Sequence, residues 1–322
     1  MNSMIKNKQI PQRDIYLAFG FDEEVGGQKG AIQIADYFKK KRLKFDAVYD
    51  EGGLIMRKGN VAGIDTDVAV VGCAEKGFLS AKIKVKGLGG HSSMPPMESA
   101  IGKAAVIMQR LEDHQMKPVI TPLIKEFFNN IGGEMPFTTR MALANQWLLK
   151  PVLISQLTKN NTTNALVRTT TALTMMKGSD GTNVLSPEVE FVVNFRLLPG
   201  NSVKDVRDHI AKATEGFDVE VEEIDNTREA SAISPTSTRA FKMIEAGVKE
   251  IHPGAIVTPY LTMAGTDAGK YEIVSKNVYR FMPIKINSAE QQSIHSTNEY
   301  LSIDNYLKMI HYFEYIMKNY DK

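Results

Sequence analysis

Apolar and polar positions follow two different rhythms along this chain. In the first fifty residues the apolar runs are short and little interrupted: Ile15-Tyr16-Leu17-Ala18-Phe19, then Phe45–Tyr49. Runs of that length, rich in aromatic and β-branched residues, predict buried strands. Each stops on carboxylates followed by glycines, Asp22-Glu23-Glu24 with Gly26-Gly27 and Asp50-Glu51 with Gly52-Gly53. Between them Gln28–Leu43 places Ala31, Ile34, Ala35 and Phe38 at helical spacing and ends in Lys and Arg, which suit a helix C-terminus. Strand, acidic turn, helix, strand, acidic turn is a βαβ pattern that delivers carboxylates to one sheet edge, where open α/β sheets gather ligands. Val61–Val71 adds further strand-like sequence.

From Cys73 the rhythm becomes strict alternation. In Phe78–Gly87, Leu79, Ala81, Ile83 and Val85 are apolar while Lys82, Lys84 and Lys86 are polar, as in a half-exposed antiparallel strand. A helix with Ile101, Ala104, Ala105, Met108 and Leu111 on one face follows, then a largely helical stretch, Pro118–Leu166, holding Trp147. Thr169–Lys177 and Val189–Leu197 read as strands. Ser202 with Asp205 three residues on predicts a capped helix presenting Val203, Val206, Ile210 and Ala213, and Asp218–Ile224 a closing strand. The stretch 74–228 therefore reads as an α+β domain inserted into an α/β domain formed by 1–73 and 229–322. Its one-sided sheet needs a cover, for which a second copy would serve. The first rhythm returns after Ser231, with helices over Thr236–Ile251 and from Ile303 to Met317, the latter capped by Ser302, and a strand over Val278–Met282.

Composition narrows the function classes. The chain of 322 residues is 43% hydrophobic and 24% charged with net charge +2, so no strong field exists to attract nucleic acid or an anionic membrane. The lysines of Phe78–Gly87 alternate as a solvated face should, without interleaved aromatics. No apolar run approaches the roughly 20 residues that span a bilayer. One cysteine excludes an internal disulfide framework and suits a reducing, cytoplasmic setting. Taken singly, Glu23-Glu24 are solvated loop charges, His91 a turn histidine, His295 a loop histidine and Arg196 a solvent-facing strand residue.

Together the motifs say more. FGFDEEVGG, YDEGG, GGHSSMPP, the stretch from Asn183 to NFRLLPG, GTDA and IHSTNEY occur in this order. The series resembles the zinc-dependent exopeptidases and deacylases of carboxypeptidase S, aminoacylase and succinyl-diaminopimelate desuccinylase, and the long Pro118–Leu166 stretch is most similar to the carboxypeptidase S branch. The resemblance implies a zinc-exopeptidase-like α/β catalytic domain with an inserted ferredoxin-like dimerisation, or lid, domain. It implies Glu23 as general base, Glu24 and His295 as ligands of one zinc, and Asp50 as a ligand of a second. It further implies His91 as the stabiliser of the oxyanion, Asn183 and Arg196 as holders of the substrate carboxylate, a homodimer, and a short peptide or N-acyl amino acid as substrate. Those residue types suit the chemistry: zinc takes imidazole and carboxylate, and an unligated carboxylate beside it can move protons. Asp267 of GTDA reads as an organiser of its turn.

The resemblance also implies a His-x-Asp motif and a metal-bridging aspartate upstream of Asp14. The thirteen residues there contain no histidine. One zinc then keeps Glu24 and His295 and the other Asp50 alone, against the three protein ligands of an ordinary catalytic zinc. The expectation is a catalytic domain incomplete at its N-terminus, binding metal weakly and turning over little. The other expectation is a non-catalytic dimerisation or binding protein derived from the same stock.

Overall fold

The computed structural model describes residues 2–61 and 63–320. Its strands are β1 (Val48–Asp50), β2 (Ile55–Met56), β3 (Val68–Glu75), β4 (Gly77–Lys86), β5 (Gly90–His91), β6 (Thr170–Lys177), β7 (Val184–Leu185), β8 (Glu188–Leu197), β9 (Val219–Arg228), β10 (Ile256–Thr262), β11 (Val278–Arg280) and β12 (Lys285–Ile286). They fall into two compact units. The first comprises Met1–Glu75, Pro122–Leu153 and Ala232–Lys322, the second Lys76–Thr121 and Ile154–Ser231.

In the first unit a mixed sheet runs β1-β11-β3-β2-β12, with β10 also pairing β3. Every residue of β3 is buried, as its apolar run Val68–Ala74 suits, and Glu75 is buried at its end. The helix Ala31–Lys40 turns Ala31, Ala35 and Phe38 inward against Tyr271 and Val274. Ile15–Phe19 does not form the expected strand. Tyr16 packs edge-on against Phe38 and Phe45, at 5.7 and 5.1 Å, while Leu17 is 56% and Phe19 81% exposed. An apolar run becomes a strand only where another strand accepts its backbone hydrogen bonds, and β1 pairs with β11 alone. Of Val61–Val71 the strand begins only at Val68, and Ala62 lies outside the described residues.

Pro122–Leu153, which lies within the stretch 74–228, packs with the first unit. The helix Pro122–Ile131 buries Leu123, Ile124, Phe127, Phe128 and Ile131. Phe127 meets Tyr260 of β10 at 5.9 Å, and Thr258 donates from its hydroxyl to the Phe127 carbonyl at 3.3 Å. That apolar face finds its cover on β10, so the chain crosses back before completing the second unit.

The second unit is the ferredoxin-like arrangement. Four antiparallel strands run β6-β8-β4-β9, and two helices, Ala100–Asp113 and Val203–Thr214, cover one face. Leu79, Ala81, Ile83 and Val85 meet Phe191, Val193 and Phe195 in that core, the residues that alternation assigned to the inner face. The capping box forms as expected: Ser202 Oγ accepts from the Asp205 amide at 3.2 Å and Asp205 Oδ2 from the Ser202 amide at 2.7 Å.

Lys76, 1% exposed, opens this unit. Its ammonium donates to the carbonyls of Ala165 and Arg168 at 2.9 and 2.8 Å. Burial, then the charge of Arg196, pushes its pKa down to about 7. Unfolded, the same lysine titrates near 10.4, so between the two values the unfolded state binds more protons and stability rises with pH. We expect a rise of up to ~1.4 kcal/mol per pH unit between about pH 7 and 10, absent in Lys76→Met, in urea titrations at pH 7 and 9.

Candidate active site in the first unit

The acidic loop is built by local hydrogen bonds. Glu23–Val25 forms a single 3-10 turn, closed by the Gly26 amide donating to the Glu23 carbonyl at 2.8 Å. Asp22 Oδ2 accepts from the Lys29 amide at 2.7 Å, holding the entry to the following helix. Gly27, at φ 70°, is needed twice over: the left-handed conformation favours glycine, and a Cβ there would lie 2.4 Å from Asp267 Oδ1. The Asp267 carboxylate thus occupies the crook of the acidic loop.

Glu23, Asp50, Glu51, Asp267 and Tyr271 share the lining of one cavity of about 1250 Å³. Asp50 ends β1, in register with Arg280. Among the described residues its Oδ2 is buried with no hydrogen-bond partner. Burial first, then the charge of Glu51, pushes the Asp50 pKa up to about 7. Glu23 is raised too, by partial burial first and then by Glu51, Glu24 and Asp267, with Lys270 opposing. Asp267 is raised chiefly by burial.

His295 and Glu24, from opposite ends of the chain, come together. His295 sits at φ 60° in the loop after the helix Ser288–Gln292, its amide donating to Glu299 Oε2 at 3.0 Å. Its Nδ1 lies 3.8 Å from Glu24 Oε1, and both side chains are more than 70% exposed. Glu24 and His295 are not among the residues lining the cavity that holds Glu23 and Asp50.

Sequence reasoning did not reach the buried network behind these acids. Arg280 is fully buried, its Nε 2.8 Å from Glu75 Oε1, and Glu75 also accepts from Thr266 Oγ1. Thr266 Oγ1 in turn accepts from the Ala268 amide at 3.2 Å, so the network holds the turn that presents Asp267. Gly72 makes room for it, since a Cβ there would lie 2.9 Å from Arg280 Cβ. One signal was available: Glu75 is a lone charge at the end of an apolar run and Arg280 a lone charge in the middle of one, and lone buried charges require partners.

In the second unit, β5 pairs with β7, setting His91 opposite Val184. The Ser92 amide donates to the Asn183 carbonyl at 3.0 Å, so His91 and Asn183 are neighbours. The Ser93 amide points at His91 Nδ1, 3.2 Å away, which makes Nδ1 the acceptor and leaves the proton of the neutral ring on exposed Nε2. Arg196 lies on β8 in register with Phe78 of β4.

The residues present fit a zinc-type metal in kind: carboxylates, an imidazole and a buried carboxylate oxygen without a partner on Asp50. They do not fit in number, since among the described residues no group of three or more His, Cys, Asp or Glu converges.

Comparison with known proteins bears on the family and the fold. The peptidase dimerisation domain matches residues 73–222. The probable carboxypeptidase S-like 2 of Dictyostelium discoideum is 34% identical over 313 residues, 97% of this chain and 60% of that protein. The N-fatty-acyl-amino acid synthase/hydrolase PM20D1.1 of Danio rerio is 33% identical over 320 residues, 99% of this chain and 62% of that protein. Among solved structures, the M20 family metallo-carboxypeptidase Sso-CP2 of Sulfolobus solfataricus superposes with a TM-score of 0.65 at 18% identity, over 93% of this chain and 68% of that one. Aminopeptidase PepT of Bacillus cereus gives 0.62 at 15% identity, over 99% and 68%. The chain spans about three fifths of the length of the curated relatives it matches. Along nearly its whole length the chain is similar to carboxypeptidase S-like proteins, and within it residues 73–222 match the peptidase dimerisation domain.

Proposed function

We propose that this chain forms the larger part of a metal-dependent hydrolase that cleaves the amide bond of short peptides or N-acyl amino acids. The observation that supports this reading most is the meeting of His295 with Glu24, next in sequence to a partly buried Glu23 whose pKa is raised. Glu24 and His295 would hold one ion, and Asp50, with its unpartnered buried oxygen, would contribute to a second. Glu23 would take the proton from the attacking water and return it to the leaving amine, a role favoured by a basicity nearer neutral pH. His91, with its proton on Nε2, would donate to the oxyanion developing in the active site of the partner subunit. Asn183 and Arg196 would hold the substrate carboxylate, and the second unit would pair two copies into a homodimer. The single buried Cys73 suits a cytoplasmic protein.

The non-catalytic reading, a dimerising or binding protein, is favoured by one observation: no three-ligand group converges among the described residues. Metal analysis of the purified chain, together with hydrolysis of dipeptides and acyl amino acids, separates the two. We expect weakly bound metal and low turnover, with Glu24→Ala and His295→Ala each reducing the bound metal further. Metal-free, inert protein that these substitutions leave unchanged would favour the second reading.

A further inference from the structure

The outer face of the four-stranded sheet, opposite its two helices, is neutralised along most of its length. Lys82 pairs with Glu222 at 3.7 Å, Lys84 with Glu190 at 3.6 Å, and Lys86 with Glu220. At the far end the rule breaks. Phe78 stands in register with Arg196 on one side and Arg228 on the other. The guanidinium carbons lie 4.7 and 5.9 Å from the centre of its ring. All three side chains are half-buried. Among the described residues neither guanidinium has an ion pair or a hydrogen bond.

Two half-buried cations on the strands that flank β4 repel each other across Phe78, and a folded protein ordinarily provides such charges with partners. The ring between them offsets only part of the cost. The tension shows in the titration of the neighbours: Arg196 is pushed down by burial and then by Arg228, and Lys76 by burial and then by Arg196. An anion arriving from solvent would relieve both.

We propose that Arg228 joins Arg196 across Phe78 to form a two-guanidinium receptor for the free carboxylate of the substrate acid, making Arg228 a specificity-determining residue. This rests on the reading of Arg196 as a carboxylate holder. A guanidinium presents a planar fork that matches a carboxylate, and a pair of forks favours an anion over the neutral amide of the same acid. Phe78 supplies an apolar floor for the carbon chain next to the charge. The second arginine adds discrimination against uncharged substrates, which a single solvent-facing arginine provides only weakly.

The test is titration calorimetry of the full chain with N-decanoyl-leucine, N-decanoyl-leucinamide and inorganic phosphate, with thermal melts confirming that each variant folds. The acid is expected to bind at least about tenfold more tightly than the amide, and Arg196→Gln and Arg228→Gln each to erase about tenfold of that preference. Phosphate is expected to compete with the acid. If Arg196→Gln removes the preference and Arg228→Gln leaves it intact, the receptor proposal fails while Arg196 keeps its role. If the acid does not bind, or acid and amide bind alike in the unmodified protein, both readings fail.

Discussion

Replacing Arg280 by leucine is expected to destabilise the first unit by ~3–5 kcal/mol, the largest stability effect the structure implies for a single side chain. Arg280 is fully buried and Glu75 is 4% exposed, with 2.8 Å between them. Deleting the guanidinium leaves a buried carboxylate without the cation that lies against it, and the cost is the desolvation of that charge rather than the net worth of the pair. The double change Arg280→Leu with Glu75→Gln is therefore expected to be less damaging than the sum of the two single changes. A double-mutant cycle from urea midpoints measures the coupling. Near-additive single effects would show that the pair contributes little. Because Thr266 and the Ala268 amide complete the network, loss of Arg280 is also expected to loosen the turn that presents Asp267.

Glu23→Gln is expected to lower turnover by ~10²–10⁴-fold, the usual contribution of a positioned general base, while leaving bound metal unchanged. The substitution keeps the shape of the side chain and removes the site that accepts the proton. Glu23 lies in a partly buried acidic neighbourhood, so its carboxylate stays protonated to higher pH than an exposed glutamate. A base works only when ionised. Activity is therefore expected to be full above that raised pKa and to fall as pH falls through it, with the acid limb of the kcat profile above the ordinary carboxylate range. Equal losses of metal and activity in Glu23→Gln would reassign Glu23 as a ligand. Undiminished turnover would remove it from the chemistry altogether.

The two effects differ in how they could be found. Glu23 was reached in the sequence only through the resemblance that the ordered motifs carry, since a carboxylate doublet by itself reads as solvated loop charge. The Arg280–Glu75 pair was not, because Arg280 stands alone at the centre of the strand-like Val278–Met282 and Glu75 lies beyond the strand-like Val61–Val71, and nothing local links the two charges. Ile256–Thr262 was missed for a related reason. Pro259 argues against a central strand, yet this strand pairs only with β3, where a residue lacking an amide hydrogen is tolerated. Ile15–Phe19 failed in the other direction: its apolar run has the composition of a strand and finds no strand to pair with.

What the sequence by itself determined is local and periodic. Alternation in β4 and β8 set which side chains of the second unit enter its core, and the Ser202–Asp205 spacing set where a helix begins. Both follow from bond geometry repeating every two or 3.6 residues, so neighbours in the chain suffice to specify them. Tertiary structure decided everything that depends on which distant residue arrives alongside. It gave the helix Pro122–Ile131 to the first unit, set Arg280 against Glu75, brought His295 to Glu24, and left two arginines flanking Phe78 without a counter-charge. Such contacts are settled by desolvation and pairing between segments far apart in the chain, where no periodic pattern reaches.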